Sequence, residues 1–392
     1  MAKKISSLRP IMISGYFGFG NCGDEAILMS MIQEFSKSTP KDKIVVLSQD
    51  PKKTKQLYQV DAVYRLNPIL IISRMKKSSV FISGGGGLLQ DASGKGFSIF
   101  YYLSLLFLAS LFNIPTVVYG QGIGPVQKNI NKKLIKWVLK RVNIIMVRDK
   151  QSKIFLEKLG VKKNKQIIVN ADTAFLLKGK EVPKPIKDKY RMEHSQGTAV
   201  KRMNIAMVIR NCKEIGMDYE SKIIKYAEIS DHLIEKYQAN LFLIPFQVQT
   251  DLPLMKDIIK KMRFSNAKCI EEELRPDEIL SLISNFSLMI GMRLHSIIFA
   301  TITNRPFIAI DYDPKVKYYV DSLDLPELLI NLNQLTVKNL DNKLKYIEAN
   351  REMIQSKLKL KKEQFEQEAF SNVQLFYQFI AKKCLRKELT NN

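Results

Sequence analysis

Cysteine is scarce. The four residues, Cys22, Cys212, Cys269 and Cys384, lie too far apart to form a C-x-x-C pair. That argues against both a structural zinc and a disulfide framework, and it suits a reducing cytoplasm. Histidine is scarcer, with three residues in the chain, and no cluster with metal-ligand spacing is visible. Acidic residues are under-represented too: 38 Asp and Glu against 62 Lys and Arg leave a formal charge of +24. Such an excess points to a polyanion, an anionic membrane face or an anionic substrate. The basic residues are scattered and come without a zinc pattern, an RNP-like aromatic strand or a clear helix-turn-helix, which argues against nucleic acid. The opening MAKKISSLRPIMIS holds too few apolar residues before Gly15 for a secretory leader.

Charge is missing altogether from Phe97 to Gln127, where FSIFYYLSLLFLASLF is apolar for 16 positions. A spanning helix needs roughly 20 residues, and Asn113 with Pro115 ends this run before TVVYG. The segment reads as a buried helix feeding a buried strand. The competing reading is a helix that leans on a membrane surface through Tyr101 and Tyr102.

What the chain has in quantity is alternation. PIMIS, KIVVLS, SSVFIS, TVVYG, NIIMV and QIIVN are strand candidates in the first half. Amphipathic stretches near Glu25 to Phe35, Asn67 to Met75, Phe97 to Phe112, Ile130 to Lys140 and Ser152 to Leu159 fall between them. MNIAMVI, ANLFLIPF, AKCI, FSLMIG and RPFIAI repeat the pattern in the second half, with helices such as Ser221 to Tyr237 and Asp277 to Phe286. The class is α/β: two doubly wound, Rossmann-like domains with parallel sheets, and ligands expected in a cleft lined by strand ends. The expected boundaries are a first domain over 1–180, a linker over 181–202, a second domain over 203–335 and C-terminal helices over 336–392 packing back across a domain.

Glycine marks the chemistry. GFGNCG places Gly18, Gly20 and Gly23 in a G-x-G-x-x-G between a strand and a helix, the layout of an anion or dinucleotide site. Asp24 and Glu25 follow at once, putting negative charge where a pyrophosphate would lie, and Asp50 is the only candidate for a ribose hydroxyl. These features disfavour a dinucleotide. SGGGGLLQDASG and GQGIGP follow two further strands; three such loops suggest one cleft wall, although tight crossing of neighbouring turns explains any one of them. In the second half GMRLHSIIFA sets Arg293 and His295 at a strand end beside helix-start amides. Arg148 and Arg210 end strands as well. Three strand-terminal arginines and a histidine suit a small, multiply charged anion.

SGYFGFGNCGDEAIL, ISGGGGLLQD, YGQGIGP, VRDKQS and GMRLHSIIFA, in this order, resemble the polysaccharide pyruvyltransferases, most closely the cell-surface-polymer pyruvylating branch called CsaB. The resemblance runs from about Ser14 to Asp313. It implies a GT-B-like fold and transfer of the pyruvyl group of phosphoenolpyruvate onto two hydroxyls of a hexosamine in a lipid-linked precursor, as a cyclic ketal. No cofactor is implied beyond phosphoenolpyruvate as donor substrate. The implied setting is cytoplasmic and peripheral at the inner membrane face, on anionic lipid, with an oligomer possible. The resemblance places Arg293 and Lys315 at the donor and His295 and Arg148 at the donor or in catalysis; with the strand-end reading, Arg210 and Leu294 join the donor side and Asp24 joins catalysis. Gly20, Asn21, Glu25, Gly86, Gly87 and Asp172 fall to the acceptor, with Asp24 or Asp172 as base. Lys315 stands where the family can carry Arg, and Cys22 replaces a small polar residue. The alternatives are a nucleotide-sugar glycosyltransferase of GT-B fold and a non-catalytic basic binding protein.

Overall fold

A computed structural model describes residues 9–91, 97–161, 167–190, 203–212 and 218–390. Contacts divide the chain into two compact units, the first Met1–Phe19, Asp24–Leu177 and Phe365–Asn392, the second Gly20–Gly23 and Lys178–Gln364.

The first unit is built on an eight-stranded sheet. Its path is β3-β2-β1-β4-β6-β7-β8, with β5 paired to β6. The strands are β1 (Ile11–Ser14), β2 (Ile44–Ser48), β3 (Asp61–Tyr64), β4 (Val80–Ser83), β5 (Gly86–Leu89), β6 (Thr116–Ile123), β7 (Ile144–Val147) and β8 (Ile167–Val169). All pairings are parallel, so helices cross between strands: α1 (Cys22–Phe35), α2 (Pro51–Tyr58), α3 (Pro68–Lys76), α4 (Phe97–Leu111), α5 (Asn129–Leu139) and α6 (Lys150–Lys158). The starts follow local chemistry. Asn67 accepts the N–H of Leu70 ahead of Pro68, and Asp149 accepts that of Ser152, each satisfying an otherwise orphan helix donor. The order reverses between β1 and β4. Because parallel crossovers are right-handed, α1 and α2 lie on one face of the sheet and α3 to α6 on the other.

The charge-free stretch is α4. Ile99, Tyr102, Leu103, Leu105, Leu106 and Ala109 are buried in the core of the first unit, as expected of a helix feeding a buried strand. No described helix is long and apolar enough to cross a membrane.

The second unit carries a six-stranded parallel sheet, β11-β10-β9-β12-β13-β14. Its strands are β9 (Asn204–Val208), β10 (Asn240–Leu243), β11 (Ala267–Cys269), β12 (Leu288–Gly291), β13 (Phe307–Asp311) and β14 (Leu329–Asn331). Following α7 (Lys184–Tyr190), the helices are α8 (Tyr219–Tyr237), α9 (Val248–Lys261), α10 (Pro276–Ile283), α11 (Leu294–Ile302), α12 (Pro314–Ser322), α13 (Val337–Ala349) and α14 (Arg351–Thr390).

Two expected boundaries need correction. The 181–202 stretch is not linker throughout: α7 is helical, and its Tyr190 hydroxyl donates to Glu272 at 2.6 Å while Lys268 Nζ donates to Tyr190 O at 2.6 Å. Residues 191–202 lie outside the described residues. Nor is 336–392 one body. Residues up to Gln364 belong with the second unit and those from Phe365 with the first, because Phe376 stacks on Phe35 at 4.7 Å and the Tyr377 hydroxyl donates to Phe35 O.

Candidate functional site

In the first unit the glycine loops follow β1, β4 and β6, neighbouring strands of one parallel sheet, so the turns converge on its carboxyl edge. Asp24, in the first turn of α1, reaches the second loop: a Cβ on Gly86, whose φ is +82°, would stand 2.4 Å from Asp24 Oδ1. Glycine is needed there for both backbone and space. Gly87 beside it makes no such demand, since a Cβ would meet only the Gln90 side chain at 3.5 Å.

Arg148, just past β7, has a side chain only 8% exposed that lies against Gly122, and its Nη1 donates to Asp172 Oδ2 at 2.7 Å. Burial disfavours its charge, but Asp172, Asp149 and Asp24 outweigh that and raise its pKa above the ordinary guanidinium value. Asp172 is 5% exposed and also accepts the Ala174 N–H at 3.0 Å. The structure gives Asp172 to Arg148 as a counter-ion, in place of the acceptor contact expected of it.

Glu25 differs from expectation as well. Its Oε1 accepts the Gly18 N–H at 2.7 Å and its Oε2 the Tyr58 hydroxyl at 2.8 Å. Burial pushes its carboxyl up to about 7, with the Tyr58 and Gly18 bonds working the other way. Glu25 is a strut for the first glycine turn.

The segment Gly20–Gly23 belongs to the second unit. The Cys22 N–H donates to Phe246 O at 2.7 Å, and Asn21 Oδ1 accepts the Gly23 N–H at 3.1 Å. Gly20 has φ +67°, and a Cβ on it would meet Gln249 at 3.3 Å. Gly23 packs against the imidazole of His295 within the second unit: a Cβ would lie 2.1 Å from Nδ1.

His295 stands in the first turn of α11, with the chain entering from β12. Arg293, expected to hold donor, is committed elsewhere. Its Nε and Nη2 donate to Asp251 Oδ2 and Oδ1 at 2.8 and 2.5 Å, and Asp251 is fully buried. Asp251 also accepts the N–H groups of Phe246 and Gln247. This bidentate pair fixes the β12–α11 turn to the β10–α9 turn, and breaking such a buried pair costs about 3–5 kcal/mol. Nothing in the sequence tied Arg293 to a carboxylate 42 positions away. Leu294, also assigned to donor binding, is 6% exposed and packs in the core of the second unit.

Arg210 follows β9 and donates from Nη1 to the Tyr312 hydroxyl at 3.1 Å, with its guanidinium carbon 5.5 Å from that ring. Burial opposes its charge, while Tyr312, Cys212 and Asp251 raise its pKa. Lys315, at the start of α12, pairs with Asp313 at 2.9 Å and lies 5.9 Å from the same ring. Strands β9, β12 and β13 are consecutive in the sheet. Their ends therefore bring Arg210, His295 and the Tyr312–Lys315 turn along one edge, and Tyr312 is the member sequence reasoning missed.

Doubly wound parallel sheets with charged side chains at their strand ends define a GT-B-like enzyme fold, and solved structures share it. A UDP-GlcNAc 2-epimerase from Neisseria meningitidis bound to UDP-GlcNAc matches with a TM-score of 0.60 at 12% identity, covering 95% of this chain and 100% of that one. S. aureus MnaA, solved with UDP, matches with a TM-score of 0.63 at 12% identity over 94% and 95% of the two chains. At such identity the likeness is one of fold. The family model for polysaccharide pyruvyl transferase matches residues 21–314, and the chain belongs to that family. The amylovoran biosynthesis protein AmsJ of Erwinia amylovora is 23% identical over 374 residues, 83% of this chain and 88% of that protein. Pyruvyl transfer to a polysaccharide is the activity that family membership assigns.

Proposed function

We propose that the pyruvyl donor is phosphoenolpyruvate and that the acceptor is a hexosamine of a lipid-linked precursor, which leaves as a cyclic ketal. The observation that carries the donor is the pair of cations on Tyr312: Arg210 and Lys315 lie 5.5 and 5.9 Å from one ring, on strand ends that flank the strand delivering His295. A carboxylate and a phosphate on one small molecule ask for two cationic groups with helix-start amides between them.

The chemistry needs one acid and two deprotonations. His295 protonates the enol methylene, and a sugar hydroxyl attacks the resulting cationic carbon and gives up its proton. The carbon–oxygen bond to phosphate then breaks, and the second hydroxyl closes the ketal as inorganic phosphate departs. Asp24, over Gly86 and within the field of Arg148, is assigned to receive a hydroxyl proton. Arg148 positions that carboxylate and its neighbour Asp172.

Phosphate release from phosphoenolpyruvate with a hexosamine disaccharide lipid tests this, with UDP-sugars as the competing donors. His295→Ala should lower turnover on the order of 10²-fold or more, with donor affinity by calorimetry little changed. Tight UDP binding, no phosphate release with any hexosamine acceptor and an inert His295→Ala would overturn it.

A further inference from the structure

The helices α3, α4 and α5 on one face of the first sheet carry no acidic residue. From 62 to 148 the sequence holds twelve Lys and Arg and a single acid, Asp91. Asp91 is 7% exposed and committed inward, accepting the N–H groups of Gln127 and Lys128 and the Asn131 amide at 2.6, 3.1 and 2.8 Å. Nothing anionic from this long stretch faces solvent.

The same helices and the turn before α3 expose apolar bulk. Ile69 is 78% exposed, Leu66 58%, Phe100 47% and Trp137 44%. They share one surface. At one end the Tyr101 hydroxyl donates to Arg65 O at 2.8 Å, tying α4 to the turn before α3; at the other, Lys76 Nζ lies 4.9 Å from the Phe112 ring. Phe107 of α4 meets Trp137 of α5 at 4.6 Å, and Arg141 lies 4.0 Å over Trp137. Isolated exposed apolar residues need no explanation, but a contiguous set with an indole and cations of one sign does. The opposite face of the sheet is covered by the chain itself, where Phe376 and Tyr377 of α14 pack on Phe35.

We infer that the α3–α4–α5 face is a docking surface for an anionic phospholipid bilayer. Ile69, Leu66 and Phe100 enter the headgroup boundary, Trp137 sits at its level, and Lys and Arg around them pair with lipid phosphates, their aliphatic stems extending the apolar area. Charge selects this occupant over a second copy of the chain, since two such faces would bring like charges together, and the acid bordering the face, Asp61, is already paired with Lys55 and Arg74 at 2.9 and 3.1 Å. The surface stands beside the donor reading and does not depend on it: it binds lipid whether or not pyruvyl transfer occurs.

Co-sedimentation of the full chain with vesicles of phosphatidylcholine alone, and with about 30% phosphatidylglycerol added, tests it in the absence of any acceptor. The expected result is binding at least about tenfold stronger to the anionic vesicles, weakened by high salt. Ile69→Glu with Trp137→Ser should lower that binding about tenfold, while pyruvyl transfer to a water-soluble acceptor stays as it was. Equal binding to both vesicle types, or undiminished binding by the double variant, overturns the proposal. So does a concentration-dependent dimer, seen by sedimentation, that the same substitutions abolish. Lys132→Gln with Lys136→Gln should reduce the salt dependence and leave the monomer mass unchanged; retention of the full salt dependence counts against the surface. A DNA duplex bound as tightly as vesicles, and insensitive to Ile69→Glu, would mark a general polyanion site in place of a bilayer one.

Discussion

Glu25 shows how one carboxyl can be structural and titratable together. Its pKa in the fold lies near 7, against an ordinary 4.5. The native state therefore keeps a proton that the unfolded chain has already released. Its stability is full below about pH 4.5 and falls as the pH rises toward 7, by about 3 kcal/mol at roughly 1.4 kcal/mol per pH unit. Glu25→Gln keeps an acceptor for Gly18 and a polar partner for Tyr58 without the charge. Denaturation at pH 5 and pH 8 should show wild type losing stability across that interval and the variant holding nearly level. An identical loss in both would remove Glu25 from the account.

At the scale of elements, the loops between β4 and β5 and before α1 depend on one another through Asp24 and Gly86. Gly86→Ala must displace the Asp24 carboxylate from a position 2.4 Å away, on a backbone at φ +82°, which costs about 1–3 kcal/mol of local strain. Acceptor turnover should fall while phosphoenolpyruvate affinity is retained, and Gly87→Ala should be nearly silent; equal effects at both positions would remove the distinction. The contrast was not legible in GGGG, where all four glycines look alike. Aliphatic runs such as KIVVLS and MNIAMVI identified themselves as strands because buried parallel strands are continuously apolar. DAVY and GGLL did not, being short and half glycine or polar, and PKKTKQLY hid a helix because it buries only Thr54 and Tyr58. Strand-end positions of Arg148, Arg210 and His295 were readable for the same reason the strands were. The partners were not: Asp251 for Arg293, Tyr312 for Arg210 and Tyr58 for Glu25 come from remote segments, and pairing across a fold leaves no local spacing to read.

For the molecule as a whole, the last helix closes the first unit. Phe376, Phe35 and Tyr119 are fully buried together, with ring centroids 4.7 to 6.3 Å apart, and Asn372 bonds Asn170 and Ala171 O beside them. Phe376→Ala should destabilise the first unit by about 3–5 kcal/mol. Hydrogen exchange would report it: amides of β1 and α1 should lose protection while those of β9 and β12 keep theirs, and uniform loss across both sheets would contradict the division.

That closure has a consequence in time. During synthesis the first sheet emerges before the second, yet residues from Phe365 onward that complete it leave the ribosome only after the whole second unit. Phe35 and its surroundings must wait, uncovered, through the making of the entire second unit. The unit begun before the other is finished after it, and a nascent chain halted anywhere before α14 carries an open apolar face that a chaperone would hold.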